Sequence, residues 1–444
     1  MSEVPPNGLT ATEALEKIRS GWITSVELVQ ACLDRIDQTE GQIHAWAHLN
    51  RKLALSQAAE MDEIRRTGKP LGALHGIPVG LKDIIDTSDY PTECGSSVMA
   101  GRQPKSNATL VDRLRQAGAV VLGKTATAEF AYVTPPETRN PHNPDHSPGG
   151  SSSGSAAAVA AYHVPLSIGT QTGGSVIRPA SYCGTFGFKP TAGVISRTGL
   201  LQTSKTLDQP GVFARSLEDV ALLTDAIASY DPQDSASYPR PRPAMLAGTS
   251  AEVPVEPDLA WLSLPFADRL NEDSIEAMDE IVSALGSQVE RIDAPDYFAD
   301  LLDTQEIIHV YELCQHLEAV FGNGWDKISD GLKTKVEYGR GISKERYEHA
   351  LGIREQVISF FSQFFMDYDA IITPSATGEA PRFDEGFTGD PAFCQVWTLA
   401  GLPCLNLPLM VGAGNLPIGV QLVGGLEEDD RLLRTANWML TNLS

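Results

Sequence analysis

The sequence predicts an α/β protein, a single α/β/α domain whose central mixed sheet is covered by helices. Three observations carry this. The chain as far as Arg66 is patterned as helices; from about Gly76 short apolar runs alternate with helical periods; and strand-like apolar runs return between Tyr368 and Gly425, after a long helical stretch. Thr10 to Arg19 opens on an N-cap threonine, Thr24 or Ser25 opens a longer helix to about Gln38, and Arg51 to Arg66 completes the first group. Thr109 to Ala117 reads as a helix and Ala119 to Gly123 as a strand, followed by an alanine-rich helix over Ser155 to Tyr162 and a strand over Val164 to Gly169. Later strands are expected at Trp261 to Pro265, Ala370 to Thr373, Cys404 to Leu409 and Gly419 to Val423. Residues 231–256, rich in Pro, Ser and Ala, suit a connector, and Asp273 to Arg291, Thr304 to Glu318 and Ser343 to Phe365 read as helices. Because the last strands look buried, the C-terminal part is expected to rejoin the same sheet. The expectation is one domain over 1–444 with a mainly helical, variable insertion at about 230–365.

Composition narrows the function. Of the 444 residues 42% are hydrophobic and 20% charged, with no apolar run near bilayer length and no charged-then-apolar leader at Met1. A soluble, cytoplasmic protein without membrane contact is expected. The net charge of −23 argues against direct binding of a nucleic-acid phosphate backbone, which needs clustered Lys and Arg. Six cysteines lie scattered without close pairs, and His142 and His146 are separated by Pro144 in a turn-rich stretch. Neither a metal nor another cofactor is expected.

The chemistry concentrates in three short segments. Gly149-Gly150-Ser151-Ser152-Ser153-Gly154-Ser155 runs straight into an alanine-rich helix, whose free N–H groups and positive dipole end point back at the loop. Twenty-four residues after Ser151, a second turn, Gly169-Thr170-Gln171-Thr172-Gly173-Gly174-Ser175, closes on a serine at the end of an apolar run. Consecutive N–H groups from Thr172, Gly173, Gly174 and Ser175 are the kind of donor set that holds the oxyanion of an acyl intermediate. In Gly76-Ile77-Pro78-Val79-Gly80-Leu81-Lys82-Asp83 a lysine ends a segment that otherwise looks buried. Burial disfavours the charged ammonium and brings a lysine toward the range where it accepts a proton. Taken singly each segment has a bland reading as a turn, a linker or a snorkelling lysine. Together they suit hydroxyl activation by Ser-Lys pairing, an alternative to Ser-His.

The run Gly149 to Thr191 resembles the signature segment of the amidase signature family, and Gly76 to Asp83 resembles its lysine motif. Weaker similarity covers Val120 to Tyr132, Gly401 to Leu409 and Leu416 to Gly424, and little of it reaches 230–365. The resemblance implies a hydrolase of amide-type C–N bonds in carboxamides, anilides or carbamates, working through an acyl-enzyme. Ser175 would be the nucleophile, Ser151 a proton relay entered through a cis peptide bond, and Lys82 the base, supported by Gly149, Gly150, Ser152, Gln171 and Arg178. Three positions depart from the family pattern: Gln171 replaces an acid, Ser153 a glycine, and Ile177 an arginine that here stands one place later as Arg178. Expected partners are a small-molecule amide, anilide, ester or carbamate, and a homodimer is compatible with the sequence.

Two further enzyme readings compete. The glutamine-amidohydrolase subunit of a transfer-RNA-dependent amidotransferase shares the same triad. Gly150-Ser151-Ser152-Ser153-Gly154 also fits GxSxG, which would make Ser152 a Ser-His-acid nucleophile with His309 or His316 as base; the Pro-rich stretch before it is not the strand that motif needs. Gly118 to Thr125 fits GxxxxGK[ST] but its variable positions are themselves strand-like, which excludes a phosphate loop. For the substrate, 300–365 and 376–398 are expected to line the pocket. Phe383, Phe387, Phe393 and Trp397 read either as core or as facing the cleft; facing it, and with no evident cationic clamp, they would make the pocket apolar and aryl-tolerant.

Overall fold

A computed structural model describes residues 4–241 and 244–443. Eleven strands form one sheet: β1 (Trp46–Leu49), β2 (Pro78–Lys82), β3 (Val120–Thr125), β4 (Leu166–Gln171), β5 (Phe186–Lys189), β6 (Gln209–Ala214), β7 (Leu259–Ser263), β8 (Val289–Asp293), β9 (Ala370–Pro374), β10 (Cys404–Val411) and β11 (Pro417–Val423). Their order is β1-β3-β2-β4-β6-β5-β10-β11-β9-β7-β8. Parallel pairing joins β3, β2 and β4 at one end and β9, β7 and β8 at the other, and antiparallel pairing fills the middle. The mixed α/β/α sheet expected from the sequence is therefore present.

The early helices begin where their caps dictate. Thr10 and Thr24 each accept from the N–H three residues on while Glu13 and Glu27 reach back, two reciprocal capping boxes opening helices Ala11–Ser20 and Ser25–Ile43. Helix Arg51–Arg66 matches the expected bounds. The expected helix over Asp273 to Arg291 is shorter: it spans Glu272–Leu285 and stops at Gly286, whose φ of +58 takes the chain out of the helix and into β8. Residues 231–256 are largely irregular, with one short helix at Met245–Thr249. The segment 230–365 contributes β7 and β8 to the sheet along with long helices Leu301–Gly324 and Lys344–Phe364. No helix among the described residues is long and apolar enough to cross a membrane.

The phosphate-loop decoy resolves as the sequence suggests. The GxxxxGK[ST] segment is β3, and Lys124 is buried with Nζ donating to Asp83 at 3.1 Å, Thr92 at 2.7 Å and the Pro91 carbonyl at 3.0 Å. A phosphate would find no free amide there. His142 Nε2 donates to the Cys183 carbonyl, 2.9 Å away, and among the described residues no cluster of three or more metal-ligating side chains exists.

Candidate active site

β2 and β4 are adjacent and parallel, so the lysine at the end of one and the turn after the other reach the same edge. Lys82 is fully buried, and its Nζ hydrogen-bonds Ser151 Oγ at 2.7 Å and Thr170 Oγ1 at 2.9 Å. Burial pulls its pKa down to about 7, against a smaller opposing pull from the charge on Asp208. The loop carrying Ser151 reaches it through a cis Gly150–Ser151 peptide. Gly149 has φ +80, and a Cβ there would lie 2.9 Å from Pro179 Cα. Glycine is required at that position.

The helix Ser153–Ala160 then packs on its small residues: a Cβ on Gly154 would sit 2.2 Å from the Ala45 carbonyl oxygen. Ser152 is fully buried with Oγ donating to the Thr170 carbonyl at 3.1 Å, which makes it a tie between loop and β4. His316 is exposed away from the cleft, while His309 lies against the Tyr132 ring with Nε2 on Thr203 Oγ1 at 3.2 Å, and burial holds its pKa down at about 3. These placements remove the support for a Ser152-His pair.

Ser175 is half-buried and lines a cleft of about 540 Å³ together with Thr172, Gly173, Gly174 and Arg178. Ser151 and Lys82 are buried, whereas Ser175 is partly exposed to the cleft. Among the described residues the N–H groups of Gly173, Gly174 and Ser175 donate to no protein acceptor. The turn is anchored from behind. Thr172 Oγ1 donates to Asp208 at 2.5 Å and Gln305 Nε2 donates to the Thr172 carbonyl at 2.8 Å. Asp208, which sequence reasoning missed, also accepts from the Thr203 and Ser204 N–H groups. Its only local signal is a carboxylate next to a strand that itself escapes recognition.

The three departures each have a place. Gln171 Oε1 accepts from the N–H of Val176 and Ile177 at 2.9 and 3.0 Å, capping the helix Ile177–Cys183, and its Nε2 donates to Thr398. Ser153 Oγ donates to the Gly149 carbonyl at 2.7 Å. Arg178 Nη2 donates to the Gly150 carbonyl at 2.6 Å and to Thr388 at 3.2 Å, bracing the first serine loop from the second.

The four aromatics divide between core and cleft. Phe393 and Trp397 are core residues, packed on Phe266 and Phe361, and Phe383 lies under the Arg139 guanidinium; of the four only Phe387 lines the cleft. The segments named form a mixed wall, in which Asp303, Gln305, Glu306, Lys335, Asp390 and Gln395, joined by Arg178 and Arg269, stand beside Ala131, Tyr132, Val133, Leu302 and Pro391. Phe393 and Trp397 are four apart on the helix Ala392–Ala400 and share the face turned to the core, which leaves Gln395 to the cleft.

Comparison with known proteins places the chain. The Amidase family pattern matches residues 27–433. The chain belongs to this amidase family. It is similar to a glutamyl-tRNA(Gln) amidotransferase subunit from Chloroflexus aggregans, 34% identical with 97% of this chain and 95% of the relative covered. Among solved structures, 6-aminohexanoate cyclic dimer hydrolase superposes with a TM-score of 0.88 at 26% identity, covering 98% of this chain and 97% of that one. The peptide amidase of Stenotrophomonas maltophilia superposes with a TM-score of 0.85 at 29% identity, covering 99% and 98%. This amidase is an enzyme acting on C–N bonds.

Proposed function

We propose that this amidase hydrolyses small-molecule amides through an acyl-enzyme on Ser175, with Ser151 as relay and Lys82 as base. The observation that carries the reading is a fully buried lysine whose Nζ sits on Ser151 Oγ at 2.7 Å, with a pKa pulled down to about 7. Ser175 Oγ would attack the carbonyl carbon as its proton passes to Ser151 and the Ser151 proton to the neutral Lys82 amine. The oxyanion would be met by the N–H groups of the Thr172–Ser175 turn, held in place before reaction by Asp208 and Gln305. The proton then returns by the same route to the departing nitrogen, the C–N bond breaks, and water releases the acyl group by the reverse sequence.

Ser175→Ala, Ser151→Ala and Lys82→Ala should each lower kcat by roughly three orders of magnitude, and their losses should not add, because the groups act as a unit. A fluorophosphonate should label Ser175, located by peptide mass mapping. Near-normal turnover by Lys82→Ala, or label on Ser152, would refute the assignment.

A second reading, that the chain is the glutamine-hydrolysing component of an amidotransferase, is supported by the 34% identity over nearly the full length of one such relative, together with the charged side chains of the cleft wall. Hydrolysis of glutamine, carboxamides, anilides and carbamates by the purified chain separates the two. Turnover of glutamine alone would put this reading first.

A further inference from the structure

Two hydrogen-bond chains that hold the oxyanion turn run on into the cleft, and each ends there on an acceptor. The first leaves Thr172 through its hydroxyl. Asp208 Oδ1 accepts from Thr172 Oγ1 at 2.5 Å and from Thr203 Oγ1 at 3.0 Å, and His309 Nε2 stands 3.2 Å from Thr203 Oγ1. A threonine hydroxyl has one proton, and Thr203 gives it to the carboxylate. His309 Nε2 is therefore the donor to Thr203. Burial, with the Lys335 charge nearby, holds the His309 pKa down at about 3, so the ring is neutral and Nδ1 carries a lone pair.

The second chain leaves Thr172 through its carbonyl. That oxygen can only accept, so Gln305 turns Nε2 toward it, at 2.8 Å, and Oε1 away from it. Gln395 Nε2 donates to that Oε1 at 2.6 Å, which leaves Gln395 Oε1 as the free end of the chain. Gln305 and His309 are four apart on the helix Leu301–Gly324 and share a face, so both chains come out on one stretch of wall. Among the described residues neither His309 Nδ1 nor Gln395 Oε1 meets a protein donor, and neither atom is sealed from solvent. Both residues line the cleft, and their lone pairs open into it.

Two oriented acceptors select for donors. A carboxylate or an ester oxygen would set lone pair against lone pair there. An ammonium would share the cleft with the Arg178 guanidinium, which pairs with no carboxylate among the described residues. A neutral –NH2 brings two N–H groups and no charge. We propose that His309 Nδ1 and Gln395 Oε1 form a subsite for such a group, and that the preferred substrates carry a second carboxamide or a ureido –NH2 beyond the scissile amide. The subsite deepens the hydrolase reading above and rests on it. Because both chains start at Thr172, a ligand seated on their free ends also steadies the turn that meets the oxyanion.

Titration calorimetry on Ser175→Ala reads binding without turnover. The ligands are succinamide, glutaramide and adipamide, and the methyl half-ester of each, in which –OCH3 replaces one –NH2. At one chain length or more the diamide should bind roughly 30-fold tighter than its half-ester, the factor expected for two neutral hydrogen bonds. His309→Gln, which keeps a donor for Thr203 and removes the acceptor, and Gln395→Met should each lower the ratio to about fivefold, and the pair together to within about twofold. Thr203→Val touches no ligand but frees the His309 tautomer, and it should lower the ratio too. A ratio near one at every chain length, or one that survives all three substitutions, would overturn the subsite. Release of ammonia by the unaltered enzyme is read separately. Preference for the diamide in binding with no ammonia from any ligand would sink the hydrolase reading and keep the subsite, and ammonia release with no such preference would do the reverse.

Discussion

Two buried lysines on neighbouring strands show how partner choice divides structure from chemistry. Lys124 is fully buried and faces Asp83, which balances its charge. Lys82, equally buried one strand away, faces the hydroxyls of Ser151 and Thr170 instead, and burial pulls its pKa down to about 7. A base lysine must be neutral to act. kcat/KM should therefore rise as pH increases through about 7 and level above it. The charge of Asp208 opposes that lowering. Asp208→Asn removes it, so the acidic limb should move to lower pH, and kcat should fall because Thr172 loses its charged acceptor. Rates measured from pH 5 to 10 on an amide without titrating groups give both numbers. An acidic limb that stays in place, or moves upward, would contradict the role given to Asp208.

At the scale of the element, the seven-residue helix Ile177–Cys183 begins two residues after the nucleophile and its own N-cap supplies no side-chain hydrogen bond. Gln171 takes that part from the end of β4, and through Thr398, which donates to the Gly173 carbonyl at 2.7 Å, it also fixes the oxyanion turn. Gln171→Ala should cost about 1 to 2 kcal/mol of stability and lower kcat, whereas Gln171→Glu, which keeps both acceptor contacts, should stay near the parent in thermal unfolding. Equal losses in the two variants would exclude the cap. The site loops were legible in the sequence because their composition is extreme: seven residues of only Gly and Ser, a second Gly-Gly-Ser turn, and a lysine ending an apolar run. The strands beside them were not. β6 contains Pro210-Gly211, which local rules read as a turn, yet in the middle of the sheet both its neighbours run antiparallel and accommodate it. β1 and β5 are only four residues long, and β8 is a largely exposed edge strand carrying Glu290, Arg291 and Asp293, a pattern indistinguishable locally from the end of the helix before it. The polar part of the cleft wall escaped for a similar reason. Which face of Ala392–Ala400 meets the core is decided by packing against Phe266 and Phe361, far away in sequence.

On the scale of the whole molecule, the question is whether 230–365 is an appendage or part of the fold. β7 lies between β9 and β8, with Leu259, Ala260 and Trp261 in parallel register on Ala370, Ile371 and Ile372. The helix Leu301–Gly324 sends Gln305 to the Thr172 carbonyl and Glu312 to Ser204 and Thr206. The same segment contributes Ala260, Leu262, Phe298 and Ile308 to the cluster that holds Phe393 and Trp397. An excisable domain would keep its own core and open alone. Here the core is shared, so the segment should open only with the sheet. Native-state hydrogen exchange reads this directly. Amides of β7 and of the buried face of Leu301–Gly324 should reach the protection of β4, β9 and β11, and all should respond to denaturant with one slope. Edge strand β8 and the irregular stretch within 231–256 should exchange by local fraying. Collective exchange of β7 and Leu301–Gly324 at denaturant concentrations where β4 and β6 stay protected would show a separately unfolding unit, and would uncouple the cleft wall from the triad that it faces.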